Sequence, residues 1–136
     1  MSQDTRPSVL FVCVKNGGKS QMAAGLMRKV AGAAVHVASA GTAPGAEVNA
    51  LSAESLLEVG VDIRQEKPQP VTDELVAAAD LVVTLGREAV VVPHDGTPVV
   101  NWDTDEPSER GIGGIERMRL VRDDIAARVE ALAAQL

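Results

Sequence analysis

Cysteine and aromatic residues are nearly missing from this chain. It holds one cysteine, one phenylalanine, one tryptophan and no tyrosine among 136 residues. A single thiol excludes an internal disulfide and a cysteine-rich metal cluster. His36 and His94 stand apart and share no ligand spacing with Cys13, so no metal site is expected. His36, inside the strand-like run Val35-His36-Val37, reads as a surface histidine. No apolar run approaches the roughly 20 residues of a membrane helix. The stretch from Met1 to Pro7 is polar and lacks the apolar region of a signal peptide, so no membrane partner and a cytoplasmic location are expected. Basic charge is scarce too: the net charge is −6, which argues against nucleic acid, since a phosphate backbone rewards basic faces. Yet two of the four lysines, Lys15 and Lys19, fall within five residues of each other. A local cation cluster in an acidic chain is the first hint of an anion site.

What is present is an alternation of strands and helices. Ser8–Cys13 is apolar and rich in β-branched residues and ends at polar residues and glycine, as a buried parallel strand does. From Ser20 to Val30 the spacing is helical, with Met22, Leu26, Met27 and Val30 on one face. Val35–Ser39 reads as a second strand closed by Ala40-Gly41, and Asn49–Val59 as a helix anchored by Leu51, Leu56 and Leu57. Thr72 can cap a short helix with Asp73 and Glu74 in its first turn. Asp80–Leu85 and Pro98–Trp102 supply two more strands. Ile115, Met118, Val121, Ile125, Val129 and Leu132 step by three or four through a last helix. This predicts one α/β domain over residues 1–136, with a parallel sheet covered on both faces and residues 1–7 as a flexible tail. Ligands of such sheets bind beyond the carboxyl ends of the strands, at a switch point, and the first such end is Cys13.

Cys13-Val-Lys-Asn-Gly-Gly-Lys-Ser20 joins that strand to that helix. Gly17 and Gly18 allow dihedrals that turn backbone N–H groups inward as an anion nest, and the helix adds the positive end of its dipole. With the charge of Lys19 in the same place, Cys13 is expected to be held largely as thiolate, beneath a tetrahedral oxyanion and placed for in-line attack. Asn16 is expected to stabilise a left-handed turn. Ser20 is expected to cap the helix, either alone or while also hydrogen-bonding the thiolate. The residues Gly18-Lys19-Ser20 also match the end of an ATP-binding loop, and Trp102-Asp103 could pass for its metal-binding aspartate, but Cys13 occupies the place of that loop's first glycine.

Val9-Leu-Phe-Val-Cys13, Asn16, Ser20-Gln-Met22, Ser39-Ala-Gly41 and Asp80–Leu85 resemble the low-molecular-weight protein tyrosine phosphatase superfamily, and within it the thiol-dependent arsenate reductases. The resemblance runs from about Val9 to Arg128. It implies a four-stranded parallel sheet with helices on both faces, in the flavodoxin-like manner. It also exposes three departures. The family loop, Cys-x5-Arg-Ser, has Lys19 in place of arginine; an ammonium is a point charge where a guanidinium grips two oxygens. The family's acid is an aspartate before proline; here Glu106 precedes Pro107, with Asp105 beside it. The aromatic residues that sandwich a phosphotyrosine ring are replaced by Ser108 and Glu109. Reductases of this branch resolve their chemistry with further cysteines, and near that region this chain has Leu85, Gly86 and Arg87. The single-cysteine pattern looks like the arsenate–mycothiol transferases of actinobacteria.

The resemblance therefore implies arsenate condensing with a small thiol such as mycothiol, with a redoxin completing reduction and no bound cofactor. Cys13 is the nucleophile or promotes the condensation. Lys19 and the amides of residues 14–20 (Val14, Lys15, Asn16, Gly17, Gly18, Lys19, Ser20) hold the oxygens, and Glu106, with Asp105 as its substitute, protonates the departing oxygen. Lys15 is either a second anion guide or a surface charge. Ser39 to Thr42 is expected to support the loop, and Trp102 to pack beneath the acid residues. A phosphatase of small esters and an oxyanion-binding module without turnover use the same residues.

Overall fold

Four short apolar runs become four parallel strands in the computed structural model of the chain, which describes residues 5–93 and 96–136. The strands are β1 (Ser8–Cys13), β2 (His36–Gly41), β3 (Leu81–Leu85) and β4 (Val99–Trp102), in the order β2-β1-β3-β4. The helices are α1 (Lys19–Ala31), α2 (Ala50–Leu57), α3 (Asp73–Ala78) and α4 (Gly114–Ala133). From β1 the chain crosses to β2 on one side and later to β3 on the other, so the sheet reverses direction at the carboxyl end of β1. That end is Cys13.

The period of two in a strand decides which face each residue serves. Val9, Phe11 and Cys13 point into the larger core with Met22, Leu26 and Met27 of α1 and Met118, Val121, Ile125 and Val129 of α4. Leu10 and Val12 point the other way, to Val76 and Ala79 at α3 and Val82 of β3. The chain's one phenylalanine and one tryptophan meet in the larger core, with the rings of Phe11 and Trp102 5.8 Å apart. Trp102 is thus the packing residue that the sequence suggested.

Several boundaries and faces differ from the sequence reading. β2 runs on through Ala40 to Gly41, because Gly41 pairs in register with Cys13. Asn49 stands outside α2 as its cap, accepting from the Ser52 amide. Leu51 and Leu57 are exposed, and the buried face of α2 is Ser52, Ala53, Ser55 and Leu56. Both serines hydrogen-bond locally, Ser55 Oγ to the Ser52 carbonyl and Ser52 Oγ to Asn49 Oδ1, so polar residues occupy part of the face that apolar spacing would assign to leucines. Val30, expected inside, is exposed on the last turn of α1. Thr72 caps α3 as expected, accepting from the Leu75 amide. Of the expected tail, Arg6 donates to the Ala33 carbonyl and the Pro7 carbonyl accepts from His36; residues 1–4, like His94, lie outside the described residues.

Candidate active site

The loop leaving β1 is held by its carbonyls. Those of Cys13, Val14, Lys15 and Gly17 accept from the amides of Thr42, Ala43, Gly45 and Asn49, at 2.7–3.1 Å. In a trans peptide the carbonyl and the next N–H point opposite ways. Fixing these four carbonyls on the segment 42–49 therefore turns the amides of Val14, Lys15, Asn16 and Gly18 to the other side. The sulfur of Cys13 lies on that side, for the Asn16 amide donates to it at 3.2 Å. The Ser39-Ala-Gly41 element makes the fit possible. A Cβ on Gly41 would stand 2.6 Å from the Val14 carbonyl oxygen and 3.0 Å from the Asn16 amide, so the loop needs glycine there.

Asn16 is the only non-glycine residue with positive φ among those described, at 54°, a conformation asparagine tolerates. Its side chain is wholly buried and fully engaged. Oδ1 accepts from the Gln69 amide at 3.0 Å and from Gln21 at 3.3 Å, and Nδ2 donates to Ser20 Oγ at 2.7 Å. Because Nδ2 can only donate, Ser20 Oγ is an acceptor there and its own proton is free for Cys13 Sγ, 2.9 Å away. Ser20 can therefore donate to the sulfur, and to a thiolate it is the donor. It is not the helix cap: Gly18 holds that position, without a side-chain bond. The serine hydroxyl and the Asn16 amide both reach the sulfur of Cys13, a residue that is 8% exposed.

Gly17 and Gly18 end the loop before α1. Neither has positive φ. Gly17 is needed for a close approach instead, since its Cβ would lie 3.0 Å from the Glu47 carbonyl. Both glycines line a groove beside α2, while Cys13, Val14, Lys15 and Lys19 line a cleft of about 950 Å³ facing Arg87, Asp105, Glu106 and Arg117. The side chains of Asn16 and Ser20 are buried, with Ser20 on the sulfur and Asn16 on Ser20. Gln21 and Gln69, which brace Asn16 and the Ser39 carbonyl, escaped the sequence reading; Gln21 adjoins Ser20 in the quoted motif, whereas nothing near Gln69 marks it.

Across the cleft the groups are charged. Glu106 accepts from Arg117 through both oxygens (2.9–3.1 Å), from Ser108 Oγ (2.8 Å), and lies 3.2 Å from Lys19 Nζ. Burial pushes the Glu106 carboxyl up, but hydrogen bonds from Ser108, Arg117 and Lys19 outweigh it and hold it at about 2. Asp105 is lowered by the guanidinium of Arg110, which grips both its oxygens at 2.7 and 3.1 Å. The loop is fixed to α4 by the Asp105 amide on Asp124 and by Arg128 on the Asp103 carbonyl. Arg117 is the functional candidate that the sequence hid, being one charged residue between Ile115 and Met118 on an amphipathic helix. Among the described residues no group of three or more His, Cys, Asp or Glu side chains is arranged to hold a metal.

The arsenate reductase of Halalkalibacterium halodurans is 37% identical over 134 residues, covering 92% of this chain and 94% of that protein. A solved arsenate reductase in its phosphate-binding state superposes with a TM-score of 0.82 at 28% identity, covering 95% of this chain and 98% of the other. The thioredoxin-dependent arsenate reductase Cg_ArsC1′ of Corynebacterium glutamicum gives a TM-score of 0.78 at 33% identity over 96% of this chain; this chain spans 60% of its length. The profile of the low molecular weight phosphotyrosine protein phosphatases matches residues 8–136, and the chain belongs to that family.

Proposed function

We propose that this chain is a thiol-dependent arsenate reductase that works as an arsenate–thiol transferase, with mycothiol or a similar small thiol as cosubstrate. The observation that carries the reading is a single buried sulfur with two hydrogen-bond donors, at the mouth of a cleft shared with Lys19, in a chain with no second thiol. The relatives' arsenate reductase activity supports the substrate.

Arsenate sits against the inward amides with Lys19 on its oxygens. The Cys13 thiolate, with Ser20 and Asn16 bonded to its sulfur, attacks arsenic in line; an As–S bond forms, an As–O bond breaks, and the oxygen leaves as water with a proton from Glu106 or Asp105. The small thiolate then displaces Cys13 from arsenic. A redoxin thiolate attacks the sulfur of that adduct, the S–As electron pair passes to arsenic, and arsenite leaves while a mixed disulfide remains for a second thiol to resolve. Two thiols lose two electrons, and arsenic gains two.

Family membership also favours phosphatase action on small esters. Lys19 weighs against it, since an ammonium cannot grip two equatorial oxygens in parallel. Ser108 and Glu109 after Pro107 likewise leave no aromatic wall for an aryl ring. The test runs arsenate with mycothiol, glutathione and a redoxin beside p-nitrophenyl phosphate. Repeated arsenite formation, slow ester hydrolysis, and faster ester hydrolysis in Lys19→Arg are expected. Brisk ester hydrolysis that falls in Lys19→Arg, without arsenite, would overturn the reading.

A further inference from the structure

One oxygen of Glu106 lies between two cations that come from different parts of the fold. Oε1 is 3.2 Å from Lys19 Nζ at the start of α1 and 3.0 Å from Arg117 Nη2 on the first turn of α4. All of these residues line the cleft with Cys13. Three other carboxylates lining the cleft have their own partners: Asp105 with Arg110, Asp103 with Arg87, and Asp124 with Arg128. Among the described residues, only Glu106 is bound by Lys19 as well as by an arginine.

We propose that Arg117 is a substrate-binding residue: it supplies the guanidinium that the Cys13 loop lacks, and a tetrahedral oxyanion takes the place of Glu106 between Arg117 and Lys19. Two cations that share one carboxylate oxygen at hydrogen-bond distance can share an arsenate or phosphate oxygen in the same way. The Arg117 fork adds a second, parallel donor, Nε, which now serves Glu106 Oε2 at 3.1 Å. The exchange also explains how Glu106 could act as an acid. Held by Arg117 and Lys19 it stays ionised; released from both by the incoming anion, it can accept a proton carried in on that oxyanion and return it to the departing oxygen. Binding the substrate and arming the acid become one event.

This inference deepens the reading of the site as an oxyanion centre, and its test does not need turnover. Arsenate and phosphate are titrated for protection of Cys13 against iodoacetamide. The half-protecting concentration is read within each variant, so changes in intrinsic alkylation rate cancel. Glu106→Gln removes the competing charge and should lower that concentration several-fold. In the Glu106→Gln background, Arg117→Met should raise it about tenfold or more, the scale of a lost charge-assisted pair, and Arg117→Lys should restore part of the loss. If Arg117 only positions Glu106, adding Arg117→Met to Glu106→Gln changes nothing. That result, or failure of Glu106→Gln to tighten binding, overturns the proposal. Far-UV circular dichroism checks folding of each variant, and Arg117→Lys keeps the helix charge if the methionine variant is unstable. A protein that binds oxyanions through Arg117 but forms no arsenite would refute the proposed reaction and leave this inference standing.

Discussion

The two walls of the cleft are built by different physics. On the Cys13 side, uncharged hydrogen bonds hold the loop: four carbonyls on the exposed segment 42–49, and beneath them a buried network of Asn16, Ser20 and Gln21 at 0–2% exposure. On the Glu106 side, half-exposed residues are held by ion pairs between Arg117, Arg110, Arg128 and the carboxylates they face. Buried neutral networks are costly to open and keep one geometry. Exposed ion pairs are worth little each and exchange partners readily. The nucleophile is therefore prebuilt, while the acid side is set to rearrange when an anion arrives.

Substitutions on the two walls should fail in different ways. On the ion-paired wall, Glu106→Gln should slow turnover by roughly 100-fold, the usual scale of a lost proton transfer, with a lower melting temperature at neutral pH and a lower KM for arsenate. Asp105→Asn should cost clearly less. The reverse ranking in steady-state assays would move the acid to Asp105. On the fixed wall, Gly41→Ala should act through structure: its methyl meets a backbone oxygen at 2.6 Å, so about 1–3 kcal/mol of stability is lost. Turnover should fall by about tenfold as the sulfur is displaced. Calorimetry and kinetics on the same sample check both, and a Gly41→Ala protein with normal stability would show the fixed wall to be softer than described.

Acid should dismantle the ion-paired wall first. The folded Glu106 carboxyl titrates at about 2 against an ordinary 4.5, and hydrogen bonds from Arg119 and then Arg122 place Glu58 at about 2 as well. A depressed folded value means these groups stabilise the fold fully above about 4.5 and lose that contribution as pH falls toward about 2. Denaturant unfolding should show a decline across that window, shallower in Glu106→Gln. Equal decline in both would remove Glu106 from the balance.

The same contrast explains what the sequence disclosed. The strand ends, the Cys13 loop, the left-handed Asn16 and the support from Ser39-Ala-Gly41 were legible because backbone requirements restrict residue choice locally. The serine faces of α2 were not, since Ser52 and Ser55 are buried by satisfying their hydroxyls nearby, which hydropathy spacing does not register. Nor was the role of Ser20, which needed the direction of the Asn16 amide to assign its proton. Arg117 was hidden for another reason. Its partner Glu106 is eleven residues away on a different element, and a charge on an exposed helix face carries no local signature of the pair it makes.

The central claim is that one sulfur cannot complete this reaction alone, since the chain holds no second thiol to release Cys13 by exchange. The direct measurement is arsenite formed per enzyme as reactants are added in turn. With arsenate alone, no cycles should occur beyond at most one stoichiometric adduct on Cys13, and none in Cys13→Ser. Adding a small thiol should allow repeated adduct formation, and adding a redoxin should then release arsenite over many turnovers. Multiple turnovers without any external thiol would contradict the account.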